Sequence, residues 1–417
     1  MLRQIEGSRA VGESVALCRP RVVCAYPISP QTHIIEGVGA LVKSGRLRSC
    51  EFINVESEFA AMSVSIGASA AGVRAYTATS SQGLLYMAEA VFNASGLGLP
   101  IVMTVANRAV GAPINIWNDH SDAMALRDSG WIQLFAETNQ EAVDLHIQAF
   151  RLAEELSAPV MVCMDGFILT HAVERVEIPT QEQVDRFLPP FAPQQVLDPA
   201  APVSIGAMVG PEAFTEVRYL AQARQLEALD RIPELASEFE RVLGRPSGGL
   251  VSAYRNEDAE TTVVALGSIV GTIKDVVDQM REQGTKIGVV SLTTFRPYPE
   301  QALAEALEDA HRVVVVEKAF AIGGRGILGA DVDALVSDRG TRTYTVVAGL
   351  GGRAITEAAL RRVFGEAIRG ELDRVSFLDL DRGVVDRELA RMAQDPRTAP
   401  SVERVLRDVR ESAARIV

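Results

Sequence analysis

Two carboxylates separated by a serine, Glu56-Ser57-Glu58, follow a short apolar run, Phe52-Ile53-Asn54-Val55, and open an apolar-faced segment. Ser57 reads as a helix cap, and an acid in a first helical turn is favoured by the helix dipole. Apolar flanks on both sides equally predict that at least one carboxylate is confined, where it must find a donor or stay protonated.

Three further places put unusual polar content just beyond an apolar run. In Cys24-Ala25-Tyr26-Pro27-Ile28-Ser29-Pro30, two prolines bracket Ser29 and stiffen the loop, fixing a hydroxyl that could donate to a carboxylate or carbonyl; a purely structural turn reads equally well. The run Thr77-Ala78-Thr79-Ser80-Ser81-Gln82-Gly83 places four hydroxyls in five positions, more than local capping needs, among small residues that let backbone approach a ligand. Asn107-Arg108 follows the run Pro100 to Val105 and precedes a long polar segment, residues 111–122, that is too Asn-rich for a core strand. Arg108 offers a rigid donor fork for a carboxylate, or a salt bridge to Asp119 or Asp122.

The elements that must position these residues alternate. Short β-branched runs (52–55, 73–77, 100–105, 132–136, 159–164) are separated by helix-length segments (57–71, with Phe59, Met62 and Ile66 on one side; 83–93; 139–156). Such alternation predicts a parallel sheet with helices on both faces, and in such sheets ligands bind beyond the carboxyl ends of the strands. From residue 174 to 257 the chain turns Pro-rich and then charged and helical, which reads as a connector wrapping the first domain (1–257). A smaller α/β unit is expected over 258–370 and a mostly helical tail over 371–417. Within it, the Gly-rich turns 323–326 and 349–353 match neither a P-loop nor a dinucleotide fingerprint. Residues 267–272 could hold an anion at a helix N-terminus or simply form a tight crossover.

Composition narrows the function. A net charge of −13 with scattered basic residues argues against nucleic acid and anionic membranes as partners. No apolar run reaches membrane-spanning length, and the first residues lack the pattern of an export signal, so a cytoplasmic location is expected. The four cysteines include no Cys-x-x-Cys and read as core residues, so no iron–sulfur cluster is expected on this chain alone. The five histidines show no metal-ligand spacing, and no metal site is expected.

Taken together and in order, YPISPQT (26–32), VESEFAAM (55–62), TATSSQGL (77–84), NRAVGAPINIWNDHSDAMALRDSGW (107–131), NQEAVD (139–144), MDGFILTH (164–171), GSIVGTIKDVV (267–277), RPYP (296–299) and GLGGRAIT (349–356) make a specific pattern. The chain resembles the alpha subunit of the pyruvate:ferredoxin oxidoreductases, the multisubunit type of archaea and anaerobic bacteria. The resemblance spans residues 7 to 360.

That resemblance implies a thiamine-diphosphate-binding fold of pyrimidine-domain type followed by a smaller transketolase C-terminal-like domain. It implies that Glu58 hydrogen-bonds N1′ of the thiamine aminopyrimidine, sharing a proton with it, and that Arg108 grips the substrate carboxylate. Ser29 stands where the family usually has threonine, beside the substrate. Pro27, Ile28, Thr79 and Ser80 are expected at the cofactor, and Asn107, Asn115 and Asp119 in the loop at the active-site mouth. The implied reaction converts pyruvate and coenzyme A to acetyl-CoA and carbon dioxide, with electrons passed to ferredoxin. 2-Oxoglutarate, oxalate or 2-oxobutyrate could replace pyruvate; a thiamine-dependent enzyme without ferredoxin and a non-catalytic scaffold subunit are the rival readings. No Gly-Asp-Gly with a suitably placed Asn occurs for a diphosphate and its Mg2+ ion. The family carries that element, and its 4Fe-4S clusters, on partner chains, so beta, gamma and delta-type subunits are expected and the chain should be inactive alone.

Overall fold

The strands Ile101–Asn107 and Val160–Asp165 are buried at every position, which is what a parallel strand covered on both faces requires. They pair with each other in the middle of a seven-stranded sheet. Its order is Thr294–Arg296, Ile132–Phe135, Val160–Asp165, Ile101–Asn107, Ala75–Thr79, Val22–Ala25 and Glu51–Asn54. All neighbours are parallel except Thr294–Arg296, which runs antiparallel to Ile132–Phe135. The structure, a computed structural model, describes residues 2–394 and 402–414.

The smaller sheet has six strands in the order Val375–Phe377, Arg342–Val347, Arg312–Glu317, Thr261–Ala265, Ile287–Leu292 and Val251–Tyr254, with only the last antiparallel. Val251–Tyr254, which precedes residue 258, pairs with Ile287–Leu292 at the edge of this smaller sheet. Conversely, Thr294–Arg296 leaves the smaller sheet to finish the edge of the larger one. The tail expected from 371 begins with an edge strand, and helix starts at Arg382.

Local sequence explains most helix limits. Thr138 accepts from the Glu141 N–H and starts Asn139–Leu156, which stops where Ser157 turns left-handed at φ 49°. Ser57 likewise caps Glu58–Ala70. Two expectations need correcting here. The helix Glu58–Ala70 buries Glu58, Ala61, Met62, Ser65 and Ser69, and leaves Phe59 exposed. The helix expected over 83–93 is two helices, Ser81–Tyr86 and Ala88–Gly96.

The connector ends in a thirty-residue helix, Phe214–Leu243, whose second half packs Ile232, Leu235, Phe239 and Leu243 onto the first domain. One apolar cluster runs from Met103, Trp131 and Phe135 through Phe295 to Val264 and Leu328, so the two sheets share a core. The four cysteines are buried and unpaired. Among the described residues no helix is long and apolar enough to cross a membrane.

Candidate active site

The carboxyl ends of Val22–Ala25, Glu51–Asn54, Ala75–Thr79 and Ile101–Asn107 deliver the sequence-selected residues to one edge of the larger sheet. Ser57 lies extended after its strand and accepts the Ala60 N–H at 3.2 Å, so its capping role is real. Glu58, the next residue, points into the protein and is 7% exposed, whereas Glu56 is exposed. No described residue donates a hydrogen bond to the Glu58 carboxylate. An acid so shielded is costly unless a donor reaches it.

Gly83 is what lets a second helix pass this acid. A Cβ there would lie 2.6 Å from Glu58 Oε1 and 2.6 Å from Thr79 Oγ1. The Thr79 and Ser80 hydroxyls beside it are buried and have no partner among the described residues. The hydrogen-bonding capacity of both hydroxyls is therefore unused among the described residues.

Arg108 is held in a different way from the expected salt bridge. Its Nε donates to the Asn115 carbonyl at 3.0 Å and its Nη1 to the Ser29 carbonyl at 2.9 Å; neither the Asp119 nor the Asp122 carboxylate pairs with the guanidinium. Burial pulls the guanidinium below its usual pKa, with Asp122 opposing. Only the Arg108 main-chain N–H meets Asp122, at 3.0 Å.

Asp122 is the hub the sequence did not reveal. Fully buried, it accepts from Asn107 Nδ2 at 2.9 Å, Ser81 N at 2.9 Å, Arg108 N at 3.0 Å and Ala123 N at 2.8 Å. Burial pushes its pKa up to about 6, against the pull of those four donors. One carboxylate thereby fixes the start of helix Ser81–Tyr86, next to Glu58, relative to Arg108.

The Pro-bounded loop is set by Gln31. Its side chain accepts from Ile28 N at 3.2 Å and donates to the Ala78 carbonyl at 3.0 Å. Pro27 and Ser29 are left exposed and Ile28 half-buried. Asn115 and Asp119, expected at the mouth, clasp the second domain: Asn115 Nδ2 donates to the Gly351 carbonyl at 3.1 Å and Asp119 Oδ2 accepts the Gly351 N–H at 3.1 Å. The loop around them turns Ile114, Ile116 and Trp117 outward, and Trp117 packs against Phe167 with tilted rings 4.8 Å apart.

The glycine turns of the second domain prove structural. The anion at Gly267-Ser268 is Asp165 of the first domain, whose Oδ2 accepts from Ser268 N at 3.1 Å and from Lys318 Nζ at 2.7 Å, while Oδ1 meets His120 Nε2 at 2.5 Å. Glu317 accepts the N–H groups of Ile327, Leu328 and Gly329 and so caps the helix after the 323–326 turn.

Known proteins resemble this sequence. Residues 13–237 match a family model described as pyruvate flavodoxin/ferredoxin oxidoreductase, thiamine diphosphate-binding, and residues 259–360 match pyruvate:ferredoxin oxidoreductase core domain II. The chain is 49% identical to pyruvate synthase subunit PorA of Methanosarcina barkeri, covering 90% of this chain and 96% of that one. It is 38% identical to ketoisovalerate oxidoreductase subunit VorA of Pyrococcus abyssi, covering 92% and 96%. Among solved structures, 2-oxoglutarate:ferredoxin oxidoreductase from Magnetococcus marinus superposes with TM-score 0.68 at 20% identity, over 88% of this chain and 65% of that longer one, a likeness of fold.

Proposed function

The chain belongs to the pyruvate:ferredoxin oxidoreductase family, and from that premise we propose that it is the subunit that activates thiamine diphosphate and binds pyruvate in such an enzyme. The observation that carries the reading is Glu58: a buried carboxylate without a donor among the described residues, flanked by two buried hydroxyls without partners among them. These residues fit the aminopyrimidine end of thiamine diphosphate. Glu58 would hold a proton against N1′, and the Thr79 and Ser80 hydroxyls offer hydrogen bonds beside it. Gly83 keeps the wall free of a side chain that would strike the acid.

When bound, the cofactor supplies a carbon nucleophile and an electron sink for decarboxylation. Arg108 is pre-set by two main-chain carbonyls, and no described residue accepts from its Nη2, which suits a substrate carboxylate. Ser29, exposed on the loop whose carbonyl holds Arg108, would contact the same carboxylate. The Mg2+–diphosphate site, the 4Fe-4S clusters, the coenzyme A step and ferredoxin docking belong to partner chains of beta, gamma and delta type. The outward-facing Ile114, Ile116 and Trp117 give such a partner an apolar surface beside the site.

The test uses the co-expressed complex carrying Glu58→Gln. Pyruvate- and coenzyme-A-dependent reduction of ferredoxin should fall by about 100-fold or more, with subunit stoichiometry and iron content unchanged. Near-normal turnover would remove Glu58 from the proton path. A panel of pyruvate, 2-oxoglutarate, 2-oxobutyrate, oxalate and ketoisovalerate, compared by kcat/KM, tests the substrate separately.

A further inference from the structure

We propose that Glu6, His33 and His171 form a binding site for one divalent transition-metal ion of the zinc class, set at the back of the substrate loop. Sequence spacing carries no sign of it, because the ligands come from three elements. Glu6 ends the strand Leu2–Glu6, His33 lies in the first turn of helix Thr32–Lys43, and His171 follows the turn after Val160–Asp165. One ligand atom from each lies within 4.8 Å of the other two.

The backbones that carry two of the ligands are locked together. Glu6 pairs with Val173, Gly7 N donates to the Ala172 carbonyl at 3.0 Å and Ser8 N to the Thr170 carbonyl at 2.9 Å. Glu6 Oε1 meets His33 Nδ1 at 2.7 Å, and the two imidazole rings lie 4.7 Å apart. His171 Nδ1 is 2.7 Å from Thr170 Oγ1, the kind of outer contact that fixes a ligand ring's tautomer and angle.

Two imidazole nitrogens and a carboxylate oxygen are a zinc donor set, which leaves a fourth position to water. A lone His–Glu pair would explain one ring. It gives no role to the second imidazole, whose ring lies 4.7 Å from the first, whereas a divalent ion would serve all three ligands. Bonds of about 2.0–2.2 Å require the three atoms to close to roughly 3.3–3.5 Å from one another. All three residues are half-buried, so an ion can enter from solvent.

The site adjoins the substrate machinery without being part of it. His33 is four positions beyond Ser29, whose carbonyl holds Arg108. His171 stacks on Phe167 at 4.7 Å, and Phe167 on Trp117 at 4.8 Å. A bound ion would therefore tie the Pro-bounded loop and the mouth to the N-terminal strand.

The test titrates the full-length chain, stripped with a chelator, with Zn2+ in a calorimeter and with Co2+ by its visible absorption. One ion per chain is expected. His33→Gln and His171→Gln should each weaken Zn2+ binding by about 100-fold or more, and Thr170→Val by about 10- to 100-fold. Exposed His311, in the second domain, provides the control: His311→Gln should bind as the unaltered chain does. Glu6→Gln, which keeps both imidazoles, should bind at least about tenfold more weakly and guards against misfolding of the histidine variants. Equal affinity in the His33, His171 and Glu6 variants, or no saturable binding by the unaltered chain, overturns the proposal.

Discussion

Lys318 Nζ of the second domain lies 2.7 Å from Asp165 Oδ2, on the last residue of a central strand of the first, and both side chains are at most 4% exposed. Burial alone would raise the Asp165 pKa, yet Lys318 and His120 hold the carboxyl well below its ordinary 3.8. The pair closes the seam where the two domains share a core, and the His120 N–H donation to the Lys318 carbonyl at 2.8 Å ties the mouth loop into it.

Asp165→Asn leaves the Lys318 ammonium buried without its counter-charge. Unfolding free energy at neutral pH should fall by about 3–5 kcal/mol, read by urea denaturation. The pH dependence has a definite sign. A carboxyl whose folded pKa is depressed stabilises the fold above its unfolded value and loses that contribution as pH falls from about 4 toward the folded value. The unaltered chain should therefore show a larger acid-induced loss in that window than Asp165→Asn, in which Glu13 and Glu155 still contribute. Matching profiles would separate Asp165 from the acid transition.

Asp122→Asn tests the hub. Each Asp122 oxygen faces two N–H donors, so in either flip an amide would set its NH2 against two of them. A loss of about 2–4 kcal/mol is expected, together with a raised KM as the Arg108 backbone comes loose. Asp122 itself titrates with the opposite sign to Asp165. With its folded pKa near 6, above the usual 3.8, its contribution is greatest below about pH 4 and is lost as pH rises through 6. Thermal denaturation from pH 4 to 7 should show a steeper slope in the unaltered chain than in the variant, where Glu141, pushed up to about 7 by burial, still contributes.

The sheet was legible in the sequence because its strands are short, β-branched and separated by helix-length segments, and Glu58 because it follows a strand behind a serine cap. The inward face of Glu58–Ala70 was not, since Ala61, Ser65 and Ser69 line it and hydrophobicity does not mark small residues. Arg108 was singled out as a donor fork for a carboxylate, yet the partners that the structure shows are carbonyls of Asn115 and Ser29, groups every residue carries. Asp122, Gln31 and Asp165 each act partly through partners 14 to 153 positions away, which no local pattern exposes. The Thr294–Arg296 excursion depends on where the second sheet sits against the first.

Gly83→Ala adds one methyl group where the Cβ would lie 2.6 Å from both Glu58 Oε1 and Thr79 Oγ1. Alanine favours the helix Ser81–Tyr86 by about 1 kcal/mol relative to glycine, so local folding should not suffer. The cost of the crowding, about 1–3 kcal/mol, should fall on the acid's position. Half-saturation of the assembled enzyme by thiamine diphosphate should rise by about tenfold or more while its melting temperature holds. An unchanged thiamine diphosphate titration would mean that Glu58 does not face the cofactor from this wall.

Arg108→Lys and Ser29→Ala divide the substrate grip between a guanidinium and a hydroxyl. Lysine cannot make the two carbonyl contacts at once, because its ammonium has no fork, so its charge is no longer aimed. KM for pyruvate should rise by about 10- to 100-fold, since a hydrogen bond to a charged group is worth about 1.5–3 kcal/mol, with kcat less affected. Ser29→Ala keeps the carbonyl that holds Arg108, so it removes the hydroxyl alone, and KM should rise by less than in the arginine variant. The pair of variants is informative through its order. If Ser29→Ala raises KM as much as Arg108→Lys does, the hydroxyl carries the contact to substrate and the arginine only braces the loop; if only Arg108→Lys acts, Ser29 serves through its carbonyl.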